Sequence, residues 1–271
     1  MSQFELLTKE ERLIVAPELN GIDCFLVRGE NKVWIVKHIP GSVDMEKRDL
    51  LGYLLGKGFV NVAEVKLLKP EEIIQIRSIT NRGNESDKKN TYLVRVAGSY
   101  TVNELTCNTL EKAVATELVY STWTRRRDTH ADNRVYVNGI PIFFDHHIAF
   151  LSEPKYAHIT SFLQVAPDYG HPAFWRVKEV SNEITTQFAR NVVPQENKAW
   201  HYVHNIKIFM DELEVAVKDL TENKSVDLSK IIESVGFDST MANIINNFLW
   251  NNLYSLSHDV GQLKNILFIN N

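Results

Sequence analysis

The sequence predicts an α+β fold with a strand-rich N-terminal lobe over residues 1–97 and a mainly helical C-terminal lobe over residues 98–271. Two observations predict this division. Short runs of β-branched and aromatic residues, separated by turn residues, dominate the first part and are typical of strands. In the second part, apolar residues recur at the spacing of one helix face. The chain is 44% hydrophobic, which allows a substantial core.

The N-terminal elements follow from apolar runs and the turn residues between them. The predicted strands cover residues 13–15, 24–27, 33–36, 62–68, 73–79 and 92–96. A helix is expected between the third and fourth strands, from a cap at Ser42 or Asp44 to the glycines in residues 56–58. Residues 81–90 contain no apolar side chain, which predicts a mobile hairpin loop.

The C-terminal part contains two apolar runs at helical spacing, which predict amphipathic helices. These runs are Ile206, Phe209, Met210 and Leu213, and then Ile244, Ile245, Phe248, Leu249 and Leu253. One β-hairpin interrupts the helical part. Two predicted strands, residues 134–137 and 140–144, flank Asn138-Gly139, a dipeptide that favours a tight hairpin turn. Pro141 lacks an N–H, so we expect the returning strand to pair on one side only near its start.

Polar residues with the chemistry of phosphoryl transfer flank this hairpin. The segment Asp128-Thr-His-Ala-Asp-Asn133 precedes it, and Asp145 follows it. Phosphoryl transfer from a nucleoside triphosphate uses one carboxylate to orient the attacking hydroxyl, and an Asn and a second Asp to hold magnesium. A hairpin would bring Asn133 and Asp145 to the same end of a two-stranded ribbon, where both could ligate Mg²⁺.

These residues also carry a family resemblance. The helix-forming run Leu118-Val-Tyr-Ser-Thr-Trp123, the motif at residues 128–133 and the segment Ile142-Phe-Phe-Asp145 resemble the catalytic segment of HipA-type kinases and of the phosphoinositide 3-/4-kinase group. The chain departs from that pattern at Thr129, where Arg is usual, and at His146-His147, which replace a Phe-Gly or equivalent pair. The resemblance implies a two-lobed protein kinase-like fold that binds ATP and Mg²⁺.

The resemblance also implies roles for single residues. Asp128 would be the catalytic carboxylate, with His130 as a helper, and Asn133 and Asp145 would be the metal ligands. At most one or two of the three arginines at 125–127 can face such a site, and we take Arg127 as the candidate to stabilise phosphate charge.

In kinase folds a Lys on the third strand contacts the α/β-phosphates and pairs with an acid on the next helix. Lys37 is the candidate lysine. Its acid would be Asp49, which the resemblance favours, or Glu46. From the topology of such folds, backbone groups near Val96 and Ala97 are expected to bind an adenine edge.

The loop that covers the phosphates has the weakest sequence signal. Residues 28–32 contain one glycine and match no glycine-rich nucleotide motif. They could form an anion-binding nest with added charge from Arg28 or Lys32, or an ordinary solvated turn.

Composition limits the partners. A net charge of −4 argues against nucleic acid as a partner. Two cysteines without metal spacing indicate a reducing compartment, and no apolar stretch is long enough to span a membrane. We therefore expect a cytoplasmic, ATP- and Mg²⁺-dependent phosphotransferase acting on an unidentified protein or small-molecule hydroxyl. The alternatives are a nucleotidyl-transferring enzyme and an inactive nucleotide-binding or regulatory module.

Overall fold

The computed structural model describes residues 4–19, 24–39, 44–80, 90–124, 134–144, 206–224 and 227–268. Within them the chain is α+β, as predicted, with a five-stranded antiparallel sheet in the order β1-β2-β3-β5-β4. The strands of this sheet are β1 Glu5–Leu6, β2 Phe25–Gly29, β3 Lys32–Ile39, β4 Val65–Leu67 and β5 Asn90–Arg95. The edge strand β1 was not predicted.

Side chains alternate between the two faces of the sheet, and each face buries its own cluster. One face carries Val27, Trp34, Val36 and Leu93, and Ile76 of the helix α3 (Pro70–Ile79) packs against it. The opposite face, called the Lys37 face below, carries Lys37 and the residues that alternate with it. These residues are Leu26, Val33, Ile35, Tyr92 and Val94.

Two predicted strands are helices in the structure. Residues 13–15 belong to α1 (Lys9–Val15), which begins with a capping box in which Thr8 and Glu11 exchange hydrogen bonds. Residues 73–79 belong to α3, which begins with Pro70 and with Glu72 accepting a hydrogen bond from the Lys69 N–H. In both cases the helix start signal outweighs a short apolar run that fits either element.

The predicted helix between the third and fourth strands is confirmed as α2 (Met45–Gly56), which starts after Asp44. It packs on the Lys37 face through Leu50 and Tyr53. Residues 81–89, where a loop was predicted, lie outside the described residues.

The predicted hairpin is confirmed as β6 (Arg134–Val137) and β7 (Ile140–Phe143). Asn138 and Gly139 both have positive φ, 49° and 81°, as a tight hairpin turn requires. The N–H of Phe143 bonds to the carbonyl of Asn61, on the edge of β7 away from β6. Pro141 lies two residues earlier and points its nitrogen to the same edge, so its missing N–H removes no bond from the hairpin.

Short 3₁₀ turns and helices form the rest of the described chain. The 3₁₀ turns are Pro17–Leu19, Ala97–Ser99 and Val102–Glu104. The helices are α4 Leu110–Thr124, α5 Ile206–Asp219 with a π-helical turn Leu220–Lys224, α6 Leu228–Val235 and α7 Ser239–Phe268. Both predicted C-terminal helices are therefore confirmed. Their largest shared core holds Trp123, Phe209, Leu213, Ile245 and Leu249, and none of the described helices combines the length and apolar character needed to cross a membrane.

Candidate functional site

Lys37, Tyr92 and Asp49 meet at one end of the Lys37 face. Lys37 on β3 lies directly opposite Tyr92 on β5, and side chains at opposed positions of antiparallel strands are close neighbours on one face. The Tyr92 hydroxyl donates a hydrogen bond to Oδ2 of Asp49, with an oxygen–oxygen distance of 2.5 Å. Tyr92 is fully buried and Asp49 is 1% exposed. The structure thus places an aromatic side chain beside the candidate lysine and a buried carboxylate on that same side chain.

Glu46, the alternative acid, lies one turn before Asp49 on the same side of α2. Its Oε2 is buried and has no hydrogen-bond partner among the described residues. Asp49 is the residue that contacts Tyr92, so its connection to the strand carrying Lys37 is the more direct of the two.

The position of α2 depends on the C-terminal helices. The Tyr120 hydroxyl of α4 donates to the Gly52 carbonyl at 2.6 Å, and Lys47 donates to the Gly236 carbonyl after α6 at 2.7 Å. These bonds link residues far apart in sequence. The helix that carries both candidate acids is therefore fixed by the sheet on one side and by α4 and α6 on another.

Asn61 fixes the hairpin, and sequence reasoning missed it. Its Oδ1 accepts the Cys107 N–H at 2.8 Å, while its Nδ2 donates to the Cys107 carbonyl at 2.9 Å and the Pro141 carbonyl at 3.2 Å. Backbone bonds between Asn61 and Phe143 and between Ala63 and Phe143 complete the contact. A single Asn inside the apolar run Phe59-Val-Asn-Val-Ala63 is the signal that could have indicated a buried, fully bonded amide.

The end of α4 is fixed by α7. The indole N–H of Trp123 donates to the Leu249 carbonyl at 3.0 Å, and Nδ2 of Asn252 donates to the Trp123 carbonyl at 2.8 Å. Trp123 is fully buried. The last described residue before the predicted catalytic segment, Thr124, therefore follows a helix end that two hydrogen bonds attach to α7. The next described residue, Arg134, begins the hairpin.

The Val96 backbone groups, which were expected to be near an adenine edge, form hydrogen bonds within the protein. The Val96 N–H donates to the Val33 carbonyl, and the Val96 carbonyl accepts bonds from both the N–H and the hydroxyl of Ser99. The Ala97 carbonyl accepts the Tyr100 N–H at 2.9 Å. A 3₁₀ turn (Ala97–Ser99) follows β5, and its closure uses the Val96 and Ala97 carbonyls.

The turn between β2 and β3 is an ordinary hairpin turn rather than a charged loop. Glu30 and Asn31 have positive φ values of 55° and 60°. The two cations that were expected to add charge have carboxylate partners: Arg28 contacts Glu11 at 3.0 Å, and Lys32 contacts Glu64 at 2.7 Å. The structure therefore favours the solvated-turn interpretation.

A cavity of about 360 Å³ lies beside the end of β5, with Tyr53, Asn61, Arg95, Tyr100 and Glu104 among its walls. The Arg95 guanidinium stacks on Tyr100 at 3.9 Å and donates to Glu104 at 2.8 Å. That bond, with the Thr101 N–H, lowers the pKa of Glu104 to about 2, while burial raises the pKa of Tyr100 well above its usual range. Lys37 does not line this cavity.

The remaining predicted site residues lie outside the described part of the chain. They are Arg127, Asp128, His130, Asn133 and Asp145. Within the described ranges, no group of three or more His, Cys, Asp or Glu side chains could hold a metal ion. Of the predicted set, the structure places Lys37 and Asp49 next to the same side chain, that of Tyr92. It also describes Thr124, Arg134 and Phe144, which flank the segments that contain the other predicted residues.

Comparison with known proteins adds no family: no family model, curated protein or solved structure matches the chain.

Proposed function

We propose that the chain is an ATP- and Mg²⁺-dependent phosphotransferase of the atypical kinase type, acting on a hydroxyl group of a protein or small molecule. The observation that carries this proposal is the arrangement of Lys37, Tyr92 and Asp49 on one face of the sheet. Kinase folds place a lysine on a strand of the nucleotide-binding sheet and an acid on the next helix. Lys37 on β3 and Asp49 on α2 follow that order.

The order of elements supports the proposal further. The helix α4 ends at Thr124, four residues before Asp128, and the hairpin β6–β7 occupies the interval between Asn133 and Asp145. The register opposes Arg134 to Phe143. The chain therefore enters and leaves the hairpin at one end, next in sequence to the two proposed metal ligands. A kinase-like division into lobes near residue 97 belongs to the same proposal.

Each residue has a defined task in this proposal. Lys37 would contact the α/β-phosphates, with its position set by Asp49 through Tyr92. Asn133 and Asp145 would hold Mg²⁺, and Asp128, helped by His130, would orient or deprotonate the acceptor hydroxyl. Arg127 would stabilise charge on the transferring group. Bound ATP and Mg²⁺ supply the phosphoryl group and the positive charge that offsets it.

A second candidate function, a regulatory module without turnover, has one observation in its favour. The backbone groups of Val96 that would recognise a base already bond to Val33 and Ser99. The residues present thus fit the phosphate end of a nucleotide better than its base end. In the third alternative, nucleotidyl transfer, the nucleotide would bind in the flipped orientation. The acceptor hydroxyl would then attack the α-phosphate, the adenylyl group would be transferred, and pyrophosphate would leave.

Labelling with ATP separates these functions. Purified protein with Mg²⁺ and ATP carrying ³²P at the γ-phosphate should become labelled or release phosphate, and Lys37→Ala or Asp145→Asn should lose that activity by about 100-fold or more. Lys32→Ala is the matched control, because Lys32 lies on the same strand with its side chain on the opposite face. A parallel reaction with ATP carrying ³²P at the α-phosphate tests nucleotidyl transfer, which is identified if only the α-labelled ATP labels the acceptor. Binding without label would identify the module, and equal activity in Lys37→Ala and Lys32→Ala would refute the proposed site.

A further inference from the structure

We propose that α1 and the following turn Pro17–Leu19, called the cover below, lie over the base-binding part of the Lys37 face and must move away before a nucleotide can bind. This inference rests on the proposed function, because it names how access to the proposed nucleotide site is controlled. It predicts that a purine nucleotide cannot bind while the cover is packed on the sheet.

The cover occupies the sheet face next to Lys37. Ala16 is fully buried in a cluster with Leu26, Val33 and Val96, and Val15, Leu19 and Ile35 pack around them. Val33, Ile35 and Lys37 share one face because side chains alternate along β3. Ile35 lies about 7 Å from Lys37 along the strand, at about 3.4 Å per residue. A base on Ile35 would therefore place its phosphates within reach of Lys37, and the cover fills that position.

The cover also touches the segment that was predicted to bind the base edge. A Cβ atom placed on Gly98 would lie 1.9 Å from the Val15 carbonyl oxygen. That distance is far below any non-bonded contact, so only glycine permits the end of α1 to rest on this turn. The cover thus closes both sides of the proposed base position, the apolar strand surface and the neighbouring backbone.

The attachment of the cover is limited. No residue within α1 is fully buried, and Ile14 is 80% exposed. Arg12 attaches the cover to the start of β2 by donating to the Cys24 carbonyl at 2.9 Å and to the Cys24 sulfur at 3.3 Å. It also joins the two parts of the cover by donating to the Leu19 carbonyl at 2.7 Å. The exposed ion pair between Glu11 of α1 and Arg28 of β2 adds a third attachment. A short helix held by one apolar edge, Arg12 and this surface pair can leave the sheet without unfolding it, because elements with few buried contacts open at low free-energy cost.

The chemistry of the covered surface fits a purine. Leu26, Val33 and Ile35 present aliphatic side chains, which pack well against the flat face of an aromatic base. If the open form is a minor population, the apparent affinity for nucleotide is reduced by that fraction, and any change that loosens the cover restores it.

Two variants and a matched control test this proposal in the full chain. Val15→Asp places a charge in the apolar contact, and Arg12→Ala removes the anchoring hydrogen bonds while leaving the core intact. Ile14→Asp introduces the same charge on the exposed side of the same helix. Opening is measured by the rate at which the half-buried thiol of Cys24 reacts with a thiol reagent, and by hydrogen exchange in α1, neither of which requires catalysis. Binding is measured by titration calorimetry with Mg·ATP.

We expect Val15→Asp and Arg12→Ala to raise thiol reactivity and to lower the Kd for Mg·ATP by about tenfold, and Ile14→Asp to change neither. In the unchanged protein, saturating Mg·ATP should speed exchange in α1. The protein could instead bind nucleotide with unchanged exchange in α1, while the variants show unchanged Cys24 reactivity and unchanged Kd. That result would refute the proposal that the cover blocks the site, and it would leave the phosphotransferase proposal standing. If the opened variants expose Cys24 and still bind no nucleotide, both the cover and the proposed function are wrong.

Discussion

Tyr92 and Asp49 are joined by a buried hydrogen bond of 2.5 Å although 43 positions separate them in the sequence. The bond fixes α2 against β5 at the point where β5 faces Lys37 on β3. Three elements of the proposed nucleotide site, β3, α2 and β5, therefore meet at the Tyr92 side chain. Because the bond is shielded from water, loss of either partner leaves a buried polar group without its bond.

Tyr92→Phe should destabilise the protein by about 1–3 kcal/mol, because Oδ2 of Asp49 loses its donor in a desolvated position. Urea unfolding followed by tryptophan fluorescence measures this difference. Tyr254→Phe is the control, since Tyr254 is 79% exposed and its hydroxyl is in water. Equal unfolding midpoints for the two variants would show that the Tyr92–Asp49 bond contributes nothing.

Exchanging carboxylates for amides should distinguish the two candidate acids. Asp49→Asn retains an oxygen that can accept the Tyr92 hydroxyl but removes the charge, so we expect a large loss of γ-phosphate labelling, about 10-fold or more, in a folded protein. Glu46→Gln should have the smaller effect, since Asp49 is the residue bonded to the neighbour of Lys37. A greater loss in Glu46→Gln would assign the lysine partner to Glu46 instead.

Asn61→Asp should loosen the hairpin. The carboxylate can still accept the Cys107 N–H, but it cannot donate to the carbonyls of Cys107 and Pro141. We expect a loss of about 2–4 kcal/mol, because buried acceptors lose their donor and an added charge is buried. Unfolding in urea gives the energy, and hydrogen exchange at the Phe143 N–H tests the location. Asn247→Asp, on the exposed side of α7, should change neither.

The contact between Arg95 and Glu104 should give a specific acid dependence of stability. The pKa of Glu104 is lowered from 4.5 to about 2 in the folded protein, first by its hydrogen bond from Arg95 and then by the Thr101 N–H. A lowered folded pKa stabilises the fold above the unfolded pKa, and this stabilisation is lost as the pH falls from about 4.5 toward 2. Glu104→Gln should therefore flatten the fall in melting temperature over that window. An unchanged pH profile would show that Glu104 is not ionised against Arg95.

The elements predicted correctly are those with strong local signals. Asp44 and the glycines at 56 and 58 bound α2, and Asn138-Gly139 fixes the hairpin and its register. Local signals were also available where the prediction failed. Thr8 and Glu11 form a capping box, and Pro70 begins α3. The isoleucine- and valine-rich stretches that follow, residues 13–15 and 73–79, are nevertheless short enough to fit a strand or a helix.

The site is predictable only in part, because its key contacts join distant positions. The lysine and the acid-bearing helix follow from order along the chain. The partners of Asn61 lie 46 and 80 positions away, and no local pattern identifies them. Likewise, nothing in the sequence of α1 indicates that the end of this seven-residue helix packs against Gly98. Long-range packing determines the partners of Asn61 and the contact between α1 and Gly98. It also determines that the Val96 N–H bonds to the Val33 carbonyl.

Gly98→Ala and Gly236→Ala should destabilise the protein for different reasons. At Gly98 an added Cβ would meet the Val15 carbonyl oxygen at 1.9 Å, so α1 must shift and Cys24 should become more reactive toward a thiol reagent. At Gly236 the Cβ meets nothing within 4 Å, but the φ of +78° is strained for alanine. That strain costs about 1 kcal/mol and should leave Cys24 unchanged. Increased Cys24 reactivity in Gly98→Ala alone would locate the effect at the contact between Gly98 and the end of α1. Unchanged reactivity in both would mean that α1 does not rest on Gly98.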